Sequence, residues 1–314
     1  MQQALPTRIR IATRESALAL AQTRMVAAAL AARHPALAVE LVGMTTRGDR
    51  ILDRPLSQVG GKGLFVKELE LALDEDRADI AVHSMKDVPM EIAPRFALST
   101  FGERETPLDA FVCNRHASLR DLPDGAVVGT SSLRRECQLR HAFPRLQFRA
   151  LRGNVNTRLA KLDAGEYDAI ILAVAGLKRL GFDARIRGML PRELAVPAIA
   201  QGILAIEHLA SRSDLRNALR AFEHAPTAAA ASAERAFGLV VEGSCEVPVG
   251  ALARVEGEAL TLEGFVGLPD GSRLVRQSAQ GKAAAAAELG RELGQRLLAA
   301  GGADILRTLA GRAA

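Results

Sequence analysis

The sequence predicts an α/β protein of three domains, and three observations lead to this fold class. The chain has 314 residues, which is long for a single hydrophobic core and suits two or three domains. A unit of buried strand, glycine- or hydroxyl-rich turn, arginine and helix recurs in two successive blocks, residues 6–102 and 107–196. The last block, residues 225–314, has the pattern of antiparallel strands with helices, a smaller domain. Residues 203–220 are predicted to return to the first domain.

The composition favours a small or oligomeric acidic ligand. Apolar residues make up 48% of the chain, enough for several cores, and the net charge is +5 with most cations arginine. Arginine is preferred for bidentate recognition of carboxylate and phosphate groups. A nucleic-acid binder would more often combine a basic stripe with stacking aromatics, but aromatics are only 4% of this chain. We therefore expect no nucleic-acid partner.

The cysteines and the N-terminus predict a cytoplasmic protein with no metal site. Cys113, Cys137 and Cys245 are far apart and form no CxxC pair, which argues against zinc and against a disulfide framework. Residues 1–8 lack the basic segment and apolar core of a signal peptide. No stretch is apolar over a length that could span a bilayer, so no membrane partner is expected. Nothing in the sequence demands more than a monomer.

The first block opens with a strand at residues 8–12 and an alanine- and leucine-rich helix at 17–32. Between them, Ser16 can cap the helix, but Arg14 places a cation at the positive end of the helix dipole. An anionic ligand bound at the same place would explain this arginine, and a solvated surface arginine is the alternative.

A glycine-rich segment follows the next strand, residues 39–42. Gly-Gly-Lys-Gly at 60–63 has a glycine where the nucleotide motif GxxxxGK[ST] requires Ser or Thr, so a P-loop is rejected. A long glycine-hinged segment between a strand and a helix, here 64–73, favours a mobile lid over a site.

The stretch Asp-Ile-Ala-Val-His-Ser-Met-Lys-Asp-Val-Pro at 79–89 is the centre of the predicted site. Its apolar strand ends in Ser84, Lys86 and Asp87 before Pro89 forbids a regular continuation. Ligands of open α/β sheets bind outside the carboxyl ends of the strands. Lys86 and Asp87 are then either a neutralised ion pair or an anion anchor beside a general acid or base.

The second block repeats the theme of strand, hydroxyl residues, helix start and arginine. The strand 126–129 runs into Thr-Ser-Ser-Leu-Arg-Arg at 130–135, where a helix N-terminus and serine hydroxyls can bind an anion. Arg134 and Arg135 repel each other and oppose the helix dipole unless carboxylates neutralise them. A surface pair whose charge is merely screened is the alternative. Further arginines flank the later turns of this block, namely Arg152, Arg158 and Arg179.

The rest of the chain is predicted to combine helices with one set of antiparallel strands. Helices are expected at 203–209, 228–241 and 283–300, the last ending at a glycine pair. Cys245 lies in a loop and is either a structural cysteine or a covalent attachment point, which would need no histidine base. The strands are expected at 250–255, 260–266 and 273–277.

Six motifs are spread over essentially the full length of the chain: RIATRESALAL at 10–20, GGKGLF at 60–65, HSMKDVP at 83–89, GTSSLRR at 129–135, LRGNVNTR at 151–158 and GSCEVPVG at 243–250. Together they resemble the motifs of the porphobilinogen deaminase family. Any one motif alone would be weak, but six in the right order are very specific. The cysteine loop departs slightly, with Gly-Ser-Cys-Glu where Gly-Gly-Cys-Gln is common, and this change removes no chemical group that the family's mechanism uses.

The resemblance implies a fold, a cofactor and a reaction. The first two domains would be lobes like those of type II periplasmic binding proteins, with the active cleft between them, and the third a small α+β domain. Cys245 would carry a dipyrromethane cofactor in thioether linkage. Four molecules of porphobilinogen would be joined stepwise onto that primer with loss of ammonia, and hydrolysis would release hydroxymethylbilane.

The resemblance also implies roles for individual residues. Asp87 would stabilise the cation left when ammonia departs and assist proton transfers. Lys62 and Phe65 would belong to the lid. The residues implied to hold the cofactor are Ser84, Lys86, Asp87, Ser132, Arg134, Arg135 and Arg158, with Cys245 as the attachment point. Those implied to face incoming substrate are Arg14, Ser16, Arg152, Arg179 and Gln201.

Two other functions fit the spacing of the residues. A non-enzymatic binding protein for a small anion would explain the arginines and the helix N-termini, but it leaves Cys245 and the third domain without a task. An enzyme that uses Lys86 as a Schiff base would need that lysine deprotonated, which the neighbouring Asp87 opposes.

Overall fold

The structure, a computed structural model, describes residues 6–50, 63–242 and 247–313. Within these ranges the strands form two five-stranded sheets and one three-stranded antiparallel sheet. The predicted fold class is therefore confirmed. In the same ranges, no helix has both the length and the apolar character needed to cross a membrane.

The two five-stranded sheets share one arrangement. Their strands are β1 (Arg8–Arg14), β2 (Ala38–Met44), β3 (Ile80–Ser84), β4 (Phe96–Phe101), β5 (Asp109–Val112), β6 (Val127–Gly129), β7 (Gln147–Arg149), β8 (Ala169–Ala173), β9 (Gly188–Met189) and β10 (Leu204–Leu209). The first sheet, in the order β2-β1-β3-β10-β4, places β1 parallel to β2 and β3, and β10 antiparallel to β3 and β4. The second sheet, in the order β7-β6-β8-β5-β9, likewise has three parallel strands followed by an antiparallel one. The first sheet with its helices is called the first lobe, and the second sheet with its helices the second lobe.

The third domain is a meander covered by helices. Its strands are β11 (Val249–Glu256), β12 (Ala259–Gly267) and β13 (Leu274–Lys282), paired in that order. Phe237, Leu262 and Leu293 are fully buried between this sheet and the helices. The helices of the protein are α1 (Ala17–Arg33), α2 (Arg47–Arg50), α3 (Lys67–Asp74), α4 (Leu133–Ala142), α5 (Val155–Asp163), α6 (Val174–Arg179), α7 (Ser213–Leu219), α8 (Ala225–Val240), α9 (Ala286–Leu297) and α10 (Ala303–Ala313).

The predicted helix at 203–209 is wrong, because these residues form strand β10. Leu, Ala and Glu have good helix propensity, but β10 lies between β3 and β4 and pairs with both. Glu207 is fully buried there, where His83 of β3 contacts it. Tertiary pairing has overridden local propensity.

The predicted helix 283–300 ends at its glycine pair as expected, but the sequence analysis did not predict that the chain continues in a further helix. Gly301 has a φ of 106°, which bends the chain between α9 and α10. The glycine was correctly expected to interrupt the helix, but Ile305 of α10 is fully buried and holds the continuation on the same core.

The chain crosses between the lobes twice, first between β4 and β5 and then between β9 and β10. These two crossing segments touch at Gly202. The Gly202 carbonyl accepts hydrogen bonds from the Glu105 amide (3.3 Å) and from Arg179 Nη2 (2.7 Å). Gly202 has a φ of 91°, and a Cβ there would lie 2.2 Å from the Glu105 carbonyl oxygen. Glycine is needed at this position for both its backbone conformation and its close approach.

We expect Gly202→Ala to destabilise the protein by about 3 kcal/mol, because it adds backbone strain to an overpacked contact. Gly181→Ala is the matched control: Gly181 also has a positive φ, of 72°, but nothing lies within 4 Å of the position that a Cβ would take there. Urea unfolding of both variants measures the difference. Equal losses of stability would show that the contact with Glu105 contributes nothing.

Candidate active site

The turn that follows β3 carries Ser84, Lys86 and Asp87, and Ser84 and Asp87 line a cleft. Residues Met85–Asp87 form a single 3₁₀ turn, anchored by the buried Met85, whose amide donates to the Ile203 carbonyl at 2.9 Å. Ser84 Oγ accepts a hydrogen bond from Gln22 Nε2 at 2.7 Å. The buried anchor fixes the backbone, so the polar side chains on either side of Met85 face the cleft in a defined way.

Lys86 connects this turn to the second crossing segment. Its Nζ donates to Gln201 Oε1 at 3.2 Å. Burial lowers the pKa of Lys86 to about 8, and the charge of Asp87 only partly offsets this effect. Asp87 favours the charged amine, as expected, and a group with this pKa is mostly protonated at pH 7.

Asp109, at the start of β5, organises the second lobe's side of the site. Its carboxylate is fully buried and accepts hydrogen bonds from Arg135 Nε (3.0 Å) and Nη2 (2.7 Å) and from Gln201 Nε2 (2.9 Å). Arg134 Nη2 lies 2.8 Å from its other oxygen. Burial alone would raise the pKa of Asp109, but the two arginines outweigh it and hold the pKa well below its usual range.

Arg134 and Arg135 belong to the first turn of α4, which Ser132 caps by accepting from the Arg135 amide at 3.5 Å. Arg134 also donates to the Val196 carbonyl (2.7 Å), and Arg135 to the Ile171 carbonyl (3.0 Å). Both side chains are buried, and burial lowers the pKa of Arg134. The sequence analysis expected carboxylates to neutralise Arg134 and Arg135, and the protein's own Asp109 supplies one of them.

Arg158 and Arg152 add positive charge beside this group. Arg158 of α5 donates from Nε to the Gly153 carbonyl at 2.8 Å. Burial lowers the pKa of Arg158 to about 10, and the charges of Arg135 and Arg152 lower it further while Asp87 raises it. Burial also lowers the pKa of Arg152. These arginines therefore share one electrostatic environment with the turn after β3.

A second wall of this cleft, also in the first lobe, carries Arg14, Ser16 and Phe65. Arg14 ends β1, and its guanidinium lies 4.2 Å from the centre of the Phe65 ring. The same guanidinium pairs with Asp49 through Nε, at 3.1 Å, and through Nη2. Ser16 caps α1 by accepting from the Ala19 amide at 3.3 Å. Residues of this wall and of the turn after β3 line one cleft: Arg14, Ser16, Leu18, Ala19, Gln22, Phe65, Val82, His83, Ser84 and Asp87.

The structure brings most of the predicted site residues together but not all of them can be placed. Arg179 donates to the backbone of Gly202, beside Gln201, and burial lowers the pKa of this arginine. Lys62 and Cys245 lie outside the described residues. The helix α8 ends and β11 begins on either side of the cysteine loop.

Two carboxylates of the site were missed by the sequence analysis. Asp109 heads the apolar strand segment 110–112, and a lone acid on a fully buried strand is a signal that it pairs with cations. Asp49 accepts from the Thr46 hydroxyl at 2.7 Å as well as from Arg14, but its position within a polar stretch gave no comparable signal.

Comparison with known proteins decides the family. The family model described as "Porphobilinogen deaminase, dipyromethane cofactor binding domain" matches residues 9–217, and that of the porphobilinogen deaminase C-terminal domain matches residues 228–299. A protein of Nitrosomonas europaea named porphobilinogen deaminase is 53% identical over 305 residues, which cover 97% of this chain and 99% of that protein. The chain belongs to the porphobilinogen deaminase family. The resemblance inferred from the six motifs is confirmed.

Some solved structures of other proteins are similar to about two thirds of this chain. The methionine-binding protein MetQ matches with a TM-score of 0.43 and 14% identity, over 69% of this chain and 90% of that one. The periplasmic VFT2 domain of BvgS from Bordetella pertussis matches with a TM-score of 0.42 and 16% identity, over 68% and 85%.

Proposed function

We propose that this protein condenses four molecules of porphobilinogen, with release of ammonia, onto a dipyrromethane primer and frees hydroxymethylbilane by hydrolysis. Membership of the porphobilinogen deaminase family over nearly the whole chain is the observation that carries this function. The enzyme is a transferase. We place it in the cytoplasm as a monomer, with domain boundaries at 6–102 plus 203–220, 107–196 and 225–314.

The charges of the cleft fit a cofactor that bears carboxylates. Four cations interact here with two carboxylates among the described residues, and burial lowers the pKa of three of the four. A surplus of partly desolvated positive charge is unfavourable unless an anion neutralises it. The four cations are Lys86, Arg134, Arg135 and Arg158, and the carboxylates are Asp87 and Asp109.

Dipyrromethane, when bound, supplies the acceptor to which each new pyrrole unit is joined. We propose that Cys245 attaches it by a thioether and that charge-assisted hydrogen bonds to its carboxylates hold it in the cleft. The residues that would make these bonds are Ser84, Lys86, Ser132, Arg134, Arg135 and Arg158. Those proposed to bind the carboxylates of porphobilinogen are Arg14, Ser16, Arg152, Arg179 and Gln201.

Asp87 is the proposed catalytic residue. Its carboxylate lies beside the charges of Lys86 and Arg158, and among the described residues it has no hydrogen-bond partner. A carboxylate held at the cleft without an internal donor is available to accept a proton from, or stabilise positive charge on, the reacting pyrrole. Phe65, with Lys62, is proposed to cover this site as a lid.

The direct test of the function is turnover of porphobilinogen by the purified protein. We expect one ammonia to be released for each porphobilinogen consumed and hydroxymethylbilane to appear as the product. A binding protein for small anions would bind porphobilinogen without consuming it. Stoichiometric binding with no ammonia would therefore reject the proposed function.

The titration of Lys86 should report occupation of the cofactor site. In a Cys245→Ser variant, which is expected to lack the cofactor, acylation of Lys86 should rise around pH 8, because only the neutral amine reacts. Bound carboxylates favour the charged amine, so the same rise should move to higher pH in the loaded enzyme. Peptide mapping by mass spectrometry measures this, with the exposed Lys282 as reference. Identical profiles in both forms would remove Lys86 from the cofactor site.

A further inference from the structure

Arg235 of α8 reaches from the third domain to the segment that follows Asp87. Its Nη2 donates hydrogen bonds to the Pro89 carbonyl at 2.7 Å and to the Met90 carbonyl at 2.8 Å. Its Nη1 is buried and has no hydrogen-bond partner in the part of the chain that the structure describes. Arg235 is largely desolvated where it holds the Pro89 and Met90 carbonyl oxygens. This arrangement indicates that the position of these two oxygens matters.

Gly238, one turn further along α8, makes a second contact with the same segment. A Cβ at this glycine would lie 2.6 Å from Met90 Sδ and 2.8 Å from Ile199 Cδ1. Glycine inside a helix costs about 1 kcal/mol relative to alanine, so its presence is explained by the close approach of the segment. Residues three apart lie on one face of a helix, and α8 therefore holds residues 89–90 at two adjacent points.

The start of the turn after β3 is also fixed, by a contact between β3 and β10. His83 Nε2 lies 2.9 Å from Glu207 Oε2 of β10, and both side chains are buried. The charge of Glu207 also acts on Arg235, where it opposes the lowering of the pKa by burial. The turn with Lys86 and Asp87 is thus held at its start by β10 and just after its end by α8.

Helix α8 ends at Val240, five residues before Cys245 in the sequence. Helix α8 thus precedes the proposed attachment residue in the sequence and also contacts the backbone just after Asp87. We propose that Arg235 is a positioning residue, which fixes the backbone just after Asp87 and through it the Asp87 carboxylate, and that Gly238 permits this contact. This inference rests on the proposed function, since it assigns to Arg235 an effect exerted through the catalytic Asp87.

Loss of the two hydrogen bonds should lower kcat more than it raises KM, because the substrate carboxylates bind elsewhere in the cleft. Displacement of a catalytic group by about 1 Å can cost roughly 10²-fold in rate. We expect Arg235→Gln to lower kcat by about 10- to 30-fold with KM changed less than about twofold. Arg235→Lys retains a charged donor and should recover part of the loss.

The experiment measures kcat and KM for Arg235→Gln and Arg235→Lys in enzyme whose mass confirms a full cofactor load. The matched control is Arg296→Gln, since Arg296 of α9 donates to the Ser278 carbonyl (3.3 Å) at an exposed place away from the cleft. Arg235→Gln is also combined with Asp87→Asn. If Arg235 acts through Asp87, the loss should shrink to less than about threefold in the Asp87→Asn background, because the group being positioned is gone.

Gly238→Ala tests the same proposal without touching a charge. Its methyl group should displace Met90 and lower kcat, and Met90→Ala in the same chain should restore part of the activity. An unchanged kcat in Arg235→Gln, or the same fold loss with and without Asp87→Asn, would overturn the positioning role. If Arg235→Gln does not fold or load, Gly238→Ala with and without Met90→Ala decides the matter, and failure of Met90→Ala to restore activity counts against the proposal. Failure of the proposed function would appear separately, as absent turnover in the wild type.

Discussion

Asp87→Asn is expected to leave the fold intact and to reduce kcat by about 10²- to 10⁴-fold, the usual range for loss of a general acid or base. The amide has nearly the same shape as the carboxylate, and Asp87 has no hydrogen-bond partner among the described residues whose loss would disturb the turn. The amide cannot accept a proton or balance positive charge on the reacting pyrrole. Steady-state turnover of porphobilinogen measures the effect, and circular dichroism checks the fold.

Glu91→Gln is the matched control for this variant. Glu91 lies four residues after Asp87, is exposed, and undergoes the same change from acid to amide. We expect it to retain wild-type turnover. If Asp87→Asn turned over normally, or if Glu91→Gln lost as much activity, the catalytic assignment of Asp87 would fail.

Asp109→Asn should be the most destabilising acid-to-amide change among the described residues, with a loss of about 3–5 kcal/mol in the free energy of unfolding. Its carboxylate is fully buried between Arg134 and Arg135, and an amide would leave two buried guanidinium groups without a counter-charge. Because the pKa of Asp109 is held well below its usual range, its contribution is present at neutral pH and is lost as pH falls below about 4. The variant should therefore also lose less stability on acidification than the wild type.

Asp163→Asn is the control for Asp109→Asn. Asp163 pairs with Arg185 at 2.6 Å, but half of its side chain is exposed, and such pairs contribute about 0–1 kcal/mol. Urea titrations at neutral and acidic pH measure both variants. A loss in Asp109→Asn no larger than that in Asp163→Asn would show that the buried arginines do not depend on this carboxylate.

The sequence predicted those parts of the fold in which local pattern and tertiary structure agree. The apolar runs of β1, β3 and β6 and the Ser16 helix cap are formed as expected. Strand β10 was predicted as a helix because its place between β3 and β4 depends on pairing with residues more than a hundred positions earlier. No local window of sequence contains that information.

The sequence predicted which cations belong to the site but not which residues pair with them. Arginines near glycines and helix starts indicated an acidic ligand, and the structure does gather Arg134, Arg135 and Arg158 near Lys86. The lone acid Asp109 on an apolar strand was a signal that it pairs with cations, but its partners could not be identified from local pattern, since it lies 25 positions before Arg134. The contact between Arg235 and the carbonyls after Asp87 joins two domains, and no local sequence pattern predicts it.

The intact mass of the denatured protein, beside that of a Cys245→Ser variant, tests the central claim most directly. The wild type, after incubation with porphobilinogen, should exceed its sequence mass by two linked pyrrole units, and the variant should not. This result would establish the cofactor and its attachment residue together. A wild-type mass that stays at the sequence value after incubation, or an equal excess in the variant, would contradict the account.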